Sequence, residues 1–456
     1  MKESFFIRDG RFYRELAALA VPICLQQYIS HAVSFADNVM VGRLGEVAIG
    51  ALYVGSVVQL LLSTLVFGVA SASIILTSQY WGRRALEPIK EIVSIAMRIS
   101  VVLGLVFSVA AIVFPEKVVS LISSQTEILG EAERYVGTVG ISYLFFSVSQ
   151  MLLTAMRSVE IVRIGLVNSI IAFFVNVTLN YVFIFGKFGC PAIGVVGAAY
   201  GTVIARFVEL LVVAVYVFRL DTTLRLRLPD FSRWNGLLWR DLFRYGTPVM
   251  LGQLVWAVNL FGRAAIIGRM SQAGIASAGI VDALDGVLWM GPLGLAIAAG
   301  IVTGKTIGAG RMEMIRPLAR TLQVVFAAIG VTTALLVFLL RDPFLSIYEI
   351  DESTLHVVRA FFAVFAITTM GRSYQAAGLM GLVKAGGDTS FVLKNDAFWV
   401  FCWVLPSALI AQRYFHLQDV YVYAFLLSDQ ITKCFVAFVK INRYNWMKKL
   451  VRPKIA

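Results

Sequence analysis

Charged side chains are scarce in this sequence. Only 15% of its 456 residues are Asp, Glu, Lys or Arg, whereas a soluble domain carries about 25%. The hydrophobic fraction is 59%, and the mean hydropathy is +0.81. These values exclude an ordinary soluble protein, because most of the chain has too few charges to face water.

Histidine and cysteine are also few and scattered. The chain has three histidines, and its four cysteines form no CxxC pair. A zinc site needs clustered ligands, and an isolated cysteine usually serves as apolar packing. We also find no HExxH motif and no Gly-x-Ser-x-Gly motif. The sequence therefore predicts that the protein is not an enzyme and carries no bound cofactor.

Long apolar stretches recur from one end of the chain to the other. Each is long enough to cross a hydrocarbon core about 30 Å thick as a helix. Strands of a membrane barrel would alternate apolar and polar residues instead. We predict an all-α integral membrane protein with twelve spans, at residues 15–41, 47–81, 90–114, 130–156, 162–186, 195–218, 245–270, 274–306, 316–340, 355–382, 390–412 and 418–441.

The net charge of +13 reflects where Lys and Arg are placed. They predominate at one end of the predicted spans, including Lys2 near the start of the chain and Lys454 near its end. Such an excess marks cytoplasmic loops, so we predict a multi-pass protein of the inner (plasma) membrane with both termini cytoplasmic. The positive charge thus indicates orientation and membrane lipid as a partner, and it does not indicate nucleic-acid binding. The few basic residues of the predicted outer loops are Arg43, Lys117, Lys187, Arg269, Arg341 and Arg413.

The chain resembles itself after a shift of 226 residues, which places Pro22 on Pro248. After a slip of one residue, Asn168 falls on Asn395. Each half holds six spans, and an even number keeps both halves in one orientation, so the repeat is parallel. Repeats of this kind are typical of transporters, which predicts a cavity between two lobes and alternating access. We predict an N-terminal lobe at residues 1–219, a cytoplasmic linker at 220–240 that acts as a hinge, and a C-terminal lobe at 241–456.

Polar residues form a stripe along one face of the first predicted helix, at steps of four, four, four and three residues. The members are Pro22, Gln26, Ser30, Ser34 and Asp37. An acid that faced lipid would be unfavourable by several kcal/mol, so this face should meet protein or a cavity, and Pro22 allows the helix to bend. One alternative is that Asp37 lies near the outer interface, where it caps the helix or pairs with Arg43. The position equivalent to Asp37 in the second half is Arg263, and the two charges either neutralise each other or form separate sites.

Further polar residues lie within the fifth and sixth predicted spans. Asn176 and Asn180 are one turn apart and share a helix face. Arg206 and Glu209 are spaced i,i+3, and we predict that they pair with each other for structural reasons.

The second half carries its own ionisable residues within spans. Asp282 and Asp285 share one face of the eighth span, and Arg372 interrupts the tenth. Because an arginine in a membrane needs an anionic partner, we predict that Arg372 pairs with Asp282 or Asp285, as a structural lock or as a coupling element. On the seventh span, Gln253 and Trp256 follow Pro248.

Three motifs carry a family resemblance over essentially the full length. DNVMVGRLG begins at Asp37, TSQYWGRR closes the second span, and NVTLNYVFIFGKFGCPAIGVVGAAYGT covers residues 176–202. With twelve spans in two sixes, the chain resembles the multidrug and toxic compound extrusion (MATE) transporters, and in particular the NorM/DinF-like members. The resemblance implies an antiporter for multidrug efflux, and we expect the protein to be a monomer. It would export amphipathic, often cationic organic compounds against an inward flow of protons or sodium ions.

The resemblance also implies roles for single residues. Asp37 matches the family's cation- or proton-binding acid, and the polar positions of the fifth span match Asn176 and Asn180. The first-span proline associated with helix bending matches Pro22, whose counterpart in the second half is Pro248. We assign the substrate cavity to Gln26, Ser30, Ser34, Gln253, Trp256, Arg263 and Arg372.

The chain departs from the family pattern at two places. Some proton-coupled relatives have an acid where this chain has Asn180, so a two-carboxylate proton site is absent. NorM-type members have sodium-binding acids in spans seven and ten, which are missing here, and Asp285, with Asp282 beside it, is the nearest substitute. We therefore expect coupling through Asp37 by protons, with sodium at Asp37 or Asp285 as the alternative. Arg263 and Arg372 support an alternative function, namely a flippase or exporter of lipid-linked or other anionic substrates in the wider superfamily.

Overall fold

The computed structural model describes residues 5–123, 125–348 and 350–452, so Lys2 and Lys454 lie outside the described residues. All regular elements within these ranges are helical. The first half contains α1 (Gly10–Gly42), α2 (Glu46–Gly82), α3 (Leu86–Val113), α4 (Pro115–Ser120), α5 (Thr126–Ser158), α6 (Arg163–Phe185) and α7 (Val195–Val215), which continues as a π-helical turn (Tyr216–Leu220). A 3₁₀ turn (Leu228–Ser232) lies in the linker. The second half contains α8 (Gly236–Ile267), α9 (Gln272–Leu288), α10 (Met290–Gly308), α11 (Met312–Leu345), α12 (Glu352–Gly378) with a π-helical end (Leu379–Lys384), α13 (Thr389–Phe398), a π-helical stretch (Trp399–Val404), α14 (Leu405–Arg413), α15 (Asp419–Leu427) and α16 (Asp429–Asn442).

The predicted fold class is confirmed: the protein is all-α and has the twelve long helical segments of two six-helix halves. In the described part of the chain, ten helical segments are long and apolar enough to cross a membrane. The sixth and eleventh predicted spans, which are not among those ten, correspond to α7 and to α13–α14.

Two of the predicted spans are interrupted next to a proline. Pro292 has no N–H to donate to the carbonyl of Leu288, where α9 ends before α10 begins. Pro406 likewise cannot donate to Cys402, and the chain before it is π-helical over Trp399–Val404. The hydrophobic pattern predicted a continuous span in both places, because it records apolar length and not the hydrogen bond that a proline removes.

The chain folds into two compact units, each of which we describe by itself. The N-terminal unit contains Leu25–Thr77 and Arg84–Gly246, and the C-terminal unit contains the chain up to Cys24, Ser78–Arg83 and the chain from Thr247 onward. The units differ from the lobes predicted at residues 1–219 and 241–456 because α1 changes unit just after Pro22 and α8 changes unit just before Pro248. Both changes fall where a proline weakens the helical hydrogen-bond ladder.

In the N-terminal unit, α5 packs against α3 and α7, and α7 packs against α6. Leu62, Val136 and Tyr143 are fully buried in its core. In the C-terminal unit, α12 packs against α9, α11 and α16. The ring of Phe361 in α12 stacks on Tyr423 of α15, with centroids 4.3 Å apart. These contacts bring the polar faces of α6 and α7 together in one unit, and those of α9 and α12 together in the other.

The linker is tied to α3, although the sequence predicted a hinge. Arg98 donates hydrogen bonds to the carbonyls of Phe231, at 2.7 and 3.1 Å, and of Arg233, at 2.6 Å. Arg233 also pairs with Glu87 at the start of α3, and Asn235 donates to Glu91 at 2.7 Å. The linker therefore belongs to the packed part of the N-terminal unit.

The segment after α16, residues 443–452, packs back onto the C-terminal unit. Lys448 donates its backbone N–H to the carbonyl of Gly386 at 2.8 Å. Gln79, near the end of α2, donates to the carbonyl of Lys448 at 3.1 Å and accepts the N–H of Leu450 at 2.9 Å. This segment therefore connects the last turn of α2 to the loop that follows α12.

Two ammonium groups hold the carboxylate of Asp388 in that loop. Lys440 and Lys448 both lie 2.7 Å from its oxygens. Burial alone would raise the pKa of Asp388, but the hydrogen bonds and charges of the two lysines outweigh it, so its pKa lies below the ordinary value. The carboxylate thus stays charged and fastens the segment at neutral pH.

Replacement of Trp446 should loosen this segment. Trp446 is fully buried, its ring lies against Gly386, and its indole N–H donates to the carbonyl of Ile441 at 2.9 Å. We expect Trp446→Ala to lower the free energy of unfolding by about 3–5 kcal/mol, as for other buried tryptophans. Thermal unfolding of the detergent-solubilised protein measures this, with Trp234→Ala, a tryptophan that is 65% exposed, as the control. Equal melting temperatures for the two variants would contradict the prediction.

Candidate functional site

The acid of the first helix faces the interior of the N-terminal unit. Asp37 Oδ1 accepts a hydrogen bond from Nδ2 of Asn180 in α6 at 2.5 Å. The same Nδ2 lies 3.3 Å from Oδ1 of Asn176, whose own Nδ2 lies 3.5 Å from the hydroxyl of Thr202 in α7. In the described part of the chain no ion pair joins Asp37 to Arg43, the alternative left open by the sequence. The structure therefore brings Asp37, Asn176 and Asn180 together.

Close packing of α7 on α6 depends on Gly201. A Cβ atom at this position would overlap the side-chain oxygen of Asn180 and would lie 3.2 Å from the Asn180 backbone nitrogen. Only glycine leaves room for Asn180 to reach Asp37 and Asn176 as it does. A residue without a side chain thus sets the geometry of the hydrogen-bonded group.

We expect Gly201→Ala to reduce ion-driven transport by about tenfold to a hundredfold, because small displacements of a positioned group have effects of that size. The alanine would displace the far end of the Asn180 side chain, so the protein should still fold. Transport in liposomes and thermal unfolding of the same preparations separate the two effects. Gly279→Ala in α9, where a Cβ meets nothing within 4 Å, is the matched control. Unchanged transport by Gly201→Ala would show that the Asn180 geometry is not needed.

The rest of the polar stripe on α1 divides into two environments. Gln26 is buried, and its Oε1 accepts a hydrogen bond from Nη2 of Arg157 in α5 at 2.8 Å. Ser30 and Ser34 are exposed, and Pro22 is partly buried. Gln26, assigned to the cavity from sequence, is therefore a contact between α1 and α5, whereas the two serines keep an open surface.

The predicted pair on α7 is confirmed. Arg206 Nη1 lies 2.7 Å from Glu209 Oε2, and Gln150 of α5 donates to the other carboxylate oxygen at 3.3 Å. The guanidinium of Arg206 also lies above the ring of Phe146, 4.9 Å from its centroid. Glu209 is buried, so three polar side chains and one aromatic ring meet inside the unit.

Three polar residues of this unit were missed as site residues by sequence reasoning: Thr202, Gln150 and Arg157. Thr202 ends the motif that begins at Asn176, so the motif itself could have identified it. Arg157 follows the end of the fourth predicted span, residues 130–156, so the apolar pattern predicts a loop residue. The repeat could have revealed it, because Arg157 and Lys384 lie 227 residues apart, as Asn168 and Asn395 do.

A second charged group lies in the C-terminal unit. Arg372 Nη1 lies 2.6 Å from both carboxylate oxygens of Asp285, and its guanidinium is 4.0 Å from the ring centroid of Trp289. Of the two candidate partners, the structure selects Asp285. A sodium ion at Asp285 would therefore have to compete with a guanidinium.

The other residues assigned to the second half are more open. Asp282 is exposed and interacts electrostatically with Arg263 and Arg372, but no ion pair within 4.0 Å joins it to either within the described residues. On α8, Gln253 is partly buried and Trp256 is half exposed. Within the described ranges, these side chains form no hydrogen-bonded group with Asp285.

Comparison with known proteins identifies the family. A model of the MatE family matches residues 22–182 and 248–396, two segments that begin at the equivalent Pro22 and Pro248. The multidrug resistance protein MdtK of Edwardsiella ictaluri is 28% identical over 406 residues and is covered to 85%, as is this chain.

Solved structures show the same fold. A mutant form of the Vibrio cholerae MATE transporter VcmN has a TM-score of 0.86 at 15% identity, with 97% of this chain and 98% of that chain covered. A MOP superfamily transporter from Pyrococcus furiosus has a TM-score of 0.85 at 17% identity, with 94% and 95% covered. Because the MatE matches cover more than half of the sequence, the chain belongs to the MATE family of secondary transporters, multi-pass membrane proteins that carry small molecules and are not enzymes.

Proposed function

We propose that this transporter is a cation-coupled antiporter that exports amphipathic, cationic drugs and toxic compounds by alternating access. The observation that carries the proposal is the carboxylate of Asp37, which lies in a membrane helix and is held by Asn180 inside the N-terminal unit. An ionisable group at such a place is costly, and groups of this kind mark ion or substrate pathways. The relatives named multidrug resistance proteins support drugs as the substrates.

In the proposed cycle, drug and coupling ion alternate at the acid. A proton or sodium ion taken up from outside neutralises Asp37, the helix α1 bends at Pro22, and the cationic drug leaves. Release of the ion to the cytoplasm restores the carboxylate, which again favours a cation. The ion can drive this change only through different affinities for the two states. We propose a monomer in lipid with both termini in the cytoplasm and with no cofactor beyond the coupling ion.

We propose protons as the coupling ion. The group that faces Asp37 is the Nδ2 donor of Asn180, which suits a carboxylate but repels a metal ion. A sodium ion bound at the acid would require the amide to turn so that Oδ1 of Asn180, which has no hydrogen-bond partner among the described residues, faces the ion. A proton needs no such change, because a neutral carboxyl group can still accept from Nδ2.

A second candidate is export of an anionic substrate, such as a lipid-linked compound, in the wider superfamily. It is favoured by Arg263, which forms no ion pair within the described residues and lies at the position equivalent to Asp37. An anionic compound would find a cation there without displacing an acid. We rank this candidate second, because Asp37 belongs to a hydrogen-bonded polar group whereas Arg263 is not part of one in the described chain.

The test uses purified protein in liposomes that contain a fluorescent cationic dye. A proton gradient and a sodium gradient are imposed separately, and dye movement is followed against protein-free liposomes. We expect the cationic dye to move when the proton gradient is imposed and not when the sodium gradient is imposed. Movement under sodium alone would overturn the choice of ion, and movement of an anionic dye but not of the cationic one would favour the second candidate.

A further inference from the structure

The hydrogen bonds of Asp37 lead through the N-terminal unit to α7, which also carries a charged pair. From Asp37 they pass through Asn180 and Asn176 to Thr202 on α7. One helical turn further along α7 is Arg206, which pairs with Glu209. Arg206 interacts electrostatically with Asp37 as well as with Glu209, so one guanidinium lies within reach of two acids.

The same pair leads back to α1 at a different place. Glu209 interacts electrostatically with Arg157, and Arg157 donates its hydrogen bond to Gln26. Gln26 is the second residue of α1 within the N-terminal unit, four residues after Pro22. The helix α1 is therefore held near Pro22 by Gln26 and near its far end by Asp37, and α7 connects the two attachments.

The charges of this group balance only when Asp37 is ionised. Asp37 and Glu209 then oppose Arg206 and Arg157, and no net charge remains. When a proton or another cation neutralises Asp37, one positive charge in the unit loses its counterpart. Arg157 and Glu209 are buried, and an uncompensated charge beside them is unfavourable, so neutralisation of Asp37 favours a rearrangement of the two arginines and Glu209.

The internal repeat supplies an independent comparison. Arg157 and Arg206 correspond to Lys384 and Lys433, each 227 residues later. In the C-terminal unit Lys433 lies 3.1 Å from Asp396 and 3.0 Å from Asp429, and Asp396 also interacts electrostatically with Lys384. Two acids thus balance two lysines without help from outside the group.

The first-half copy lacks both of those acids. The residues at the positions of Asp396 and Asp429 are Ser169 and Thr202. Glu209 replaces one of the two charges, and the other is supplied by Asp37 alone. Both copies therefore hold two cations, but only the first-half copy depends on the charge of the coupling acid.

We propose that Arg206 and Glu209 are positioning residues that transmit the charge state of Asp37, through Arg157, to the Gln26 attachment of α1. This inference rests on the proposed function, since it requires a cation to bind at Asp37. Among the residues that the structure describes, Arg206 and Tyr135 of α5 are the titratable side chains that interact with Asp37. Arg157 is the further charge that acts on Glu209. Tyr135 and Arg157 are left unchanged in the variants below.

The test follows cation-dependent binding of the dye to the purified protein across a pH series. Loss of the Glu209 charge frees Arg206 to stabilise the Asp37 carboxylate, so Glu209→Gln should weaken proton binding about tenfold and move the midpoint about one unit to lower pH. Loss of the Arg206 charge has the opposite effect, so Arg206→Gln should move the midpoint to higher pH by a similar amount. Arg206→Lys should restore the native midpoint. If sodium is the ion, the same signs apply to its apparent affinity.

The matched control is Lys433→Gln, which removes the equivalent cation of the second half and should leave the midpoint unchanged. Asp37→Asn should abolish the pH dependence, and a pH dependence that persists in this variant would overturn the proposed function itself. If Asp37→Asn behaves as expected, shifts of Glu209→Gln and Arg206→Gln in one direction, or no shifts, would overturn the relay alone. Opposite shifts cannot arise from a general loss of stability, which size-exclusion profiles of each variant monitor.

The far end of the relay is read at Cys24, a free thiol two residues before Gln26. In a protein whose other three cysteines are serine, the rate of maleimide labelling at Cys24 should change with pH by more than thiol ionisation alone accounts for, and the same protein carrying Asp37→Asn measures the contribution of thiol ionisation. We expect this excess to disappear in Arg206→Gln and to persist in Lys433→Gln. Persistence in both variants would show that the charge of Asp37 does not reach α1 through Arg206.

Discussion

Asp37→Asn is expected to reduce gradient-driven dye efflux to the level of protein-free liposomes. An asparagine has the shape of the acid and can still accept the Asn180 hydrogen bond, so the helix contacts seen at 2.5 Å remain possible. It cannot bind and release a proton. Because its side chain is always neutral, the ionised and protonated states of the site can no longer differ in charge. The loss should therefore affect coupling and not folding.

The same liposomes measure this with a proton gradient, and dye binding to the purified variant shows that the substrate site persists. Asp282→Asn is the control, since it removes an exposed acid that forms no ion pair in the described part of the chain. Full efflux by Asp37→Asn would refute coupling at this residue. If Asp282→Asn alone lost transport, the coupling site would have to be sought in the C-terminal unit.

Arg372→Ala is expected to destabilise the protein by about 3 kcal/mol, the lower end of the range for a broken buried ion pair. The value is at the lower end because the side chains of Arg372 and Asp285 keep 19% and 22% of their surface exposed. The change leaves the carboxylate of Asp285 without the guanidinium that lies 2.6 Å away, and it removes the contact of that guanidinium with Trp289. Thermal unfolding in detergent measures the loss.

A double-variant cycle separates the pair from the rest of the site. We expect Arg372→Ala together with Asp285→Ala to be more stable than Arg372→Ala alone, because no unpaired charge remains. If the pair is a structural lock, the double variant should keep ion-driven efflux. Loss of efflux in a stable double variant would instead assign the pair to coupling, the other possibility that the sequence left open.

The sequence predicted the number and order of the spans because a single requirement, burial in hydrocarbon, sets the length and apolar character of each stretch. It did not predict where spans are interrupted. Pro292 and Pro406 act through one missing backbone hydrogen bond each, and their effect depends on what replaces that bond. The repeat was visible because the two halves retain Pro22 and Pro248 at a constant spacing.

The sequence predicted single residues of the site but not which of them are in contact. Asp37 and Asn180 each stood out as polar residues in apolar helices, but 143 residues separate them, and only packing of α6 and α7 decides that they meet. Gln26 lies on the same helix face as Ser30 and Ser34, yet it is buried and accepts a hydrogen bond from Arg157. Periodicity defines a face of a helix, whereas the neighbours that fill the face come from elsewhere in the chain.

The assignment of the start of α1 to the C-terminal unit has a consequence for biosynthesis. Ile7 donates its backbone N–H to Thr321, and Cys24 donates to the carbonyl of Gly291. At the usual rate of translation, about 15 to 60 seconds pass between synthesis of the start of α1 and synthesis of these partners. The start of α1 is thus made early but packed late, because these two partners do not exist until the second half of the chain has been synthesised.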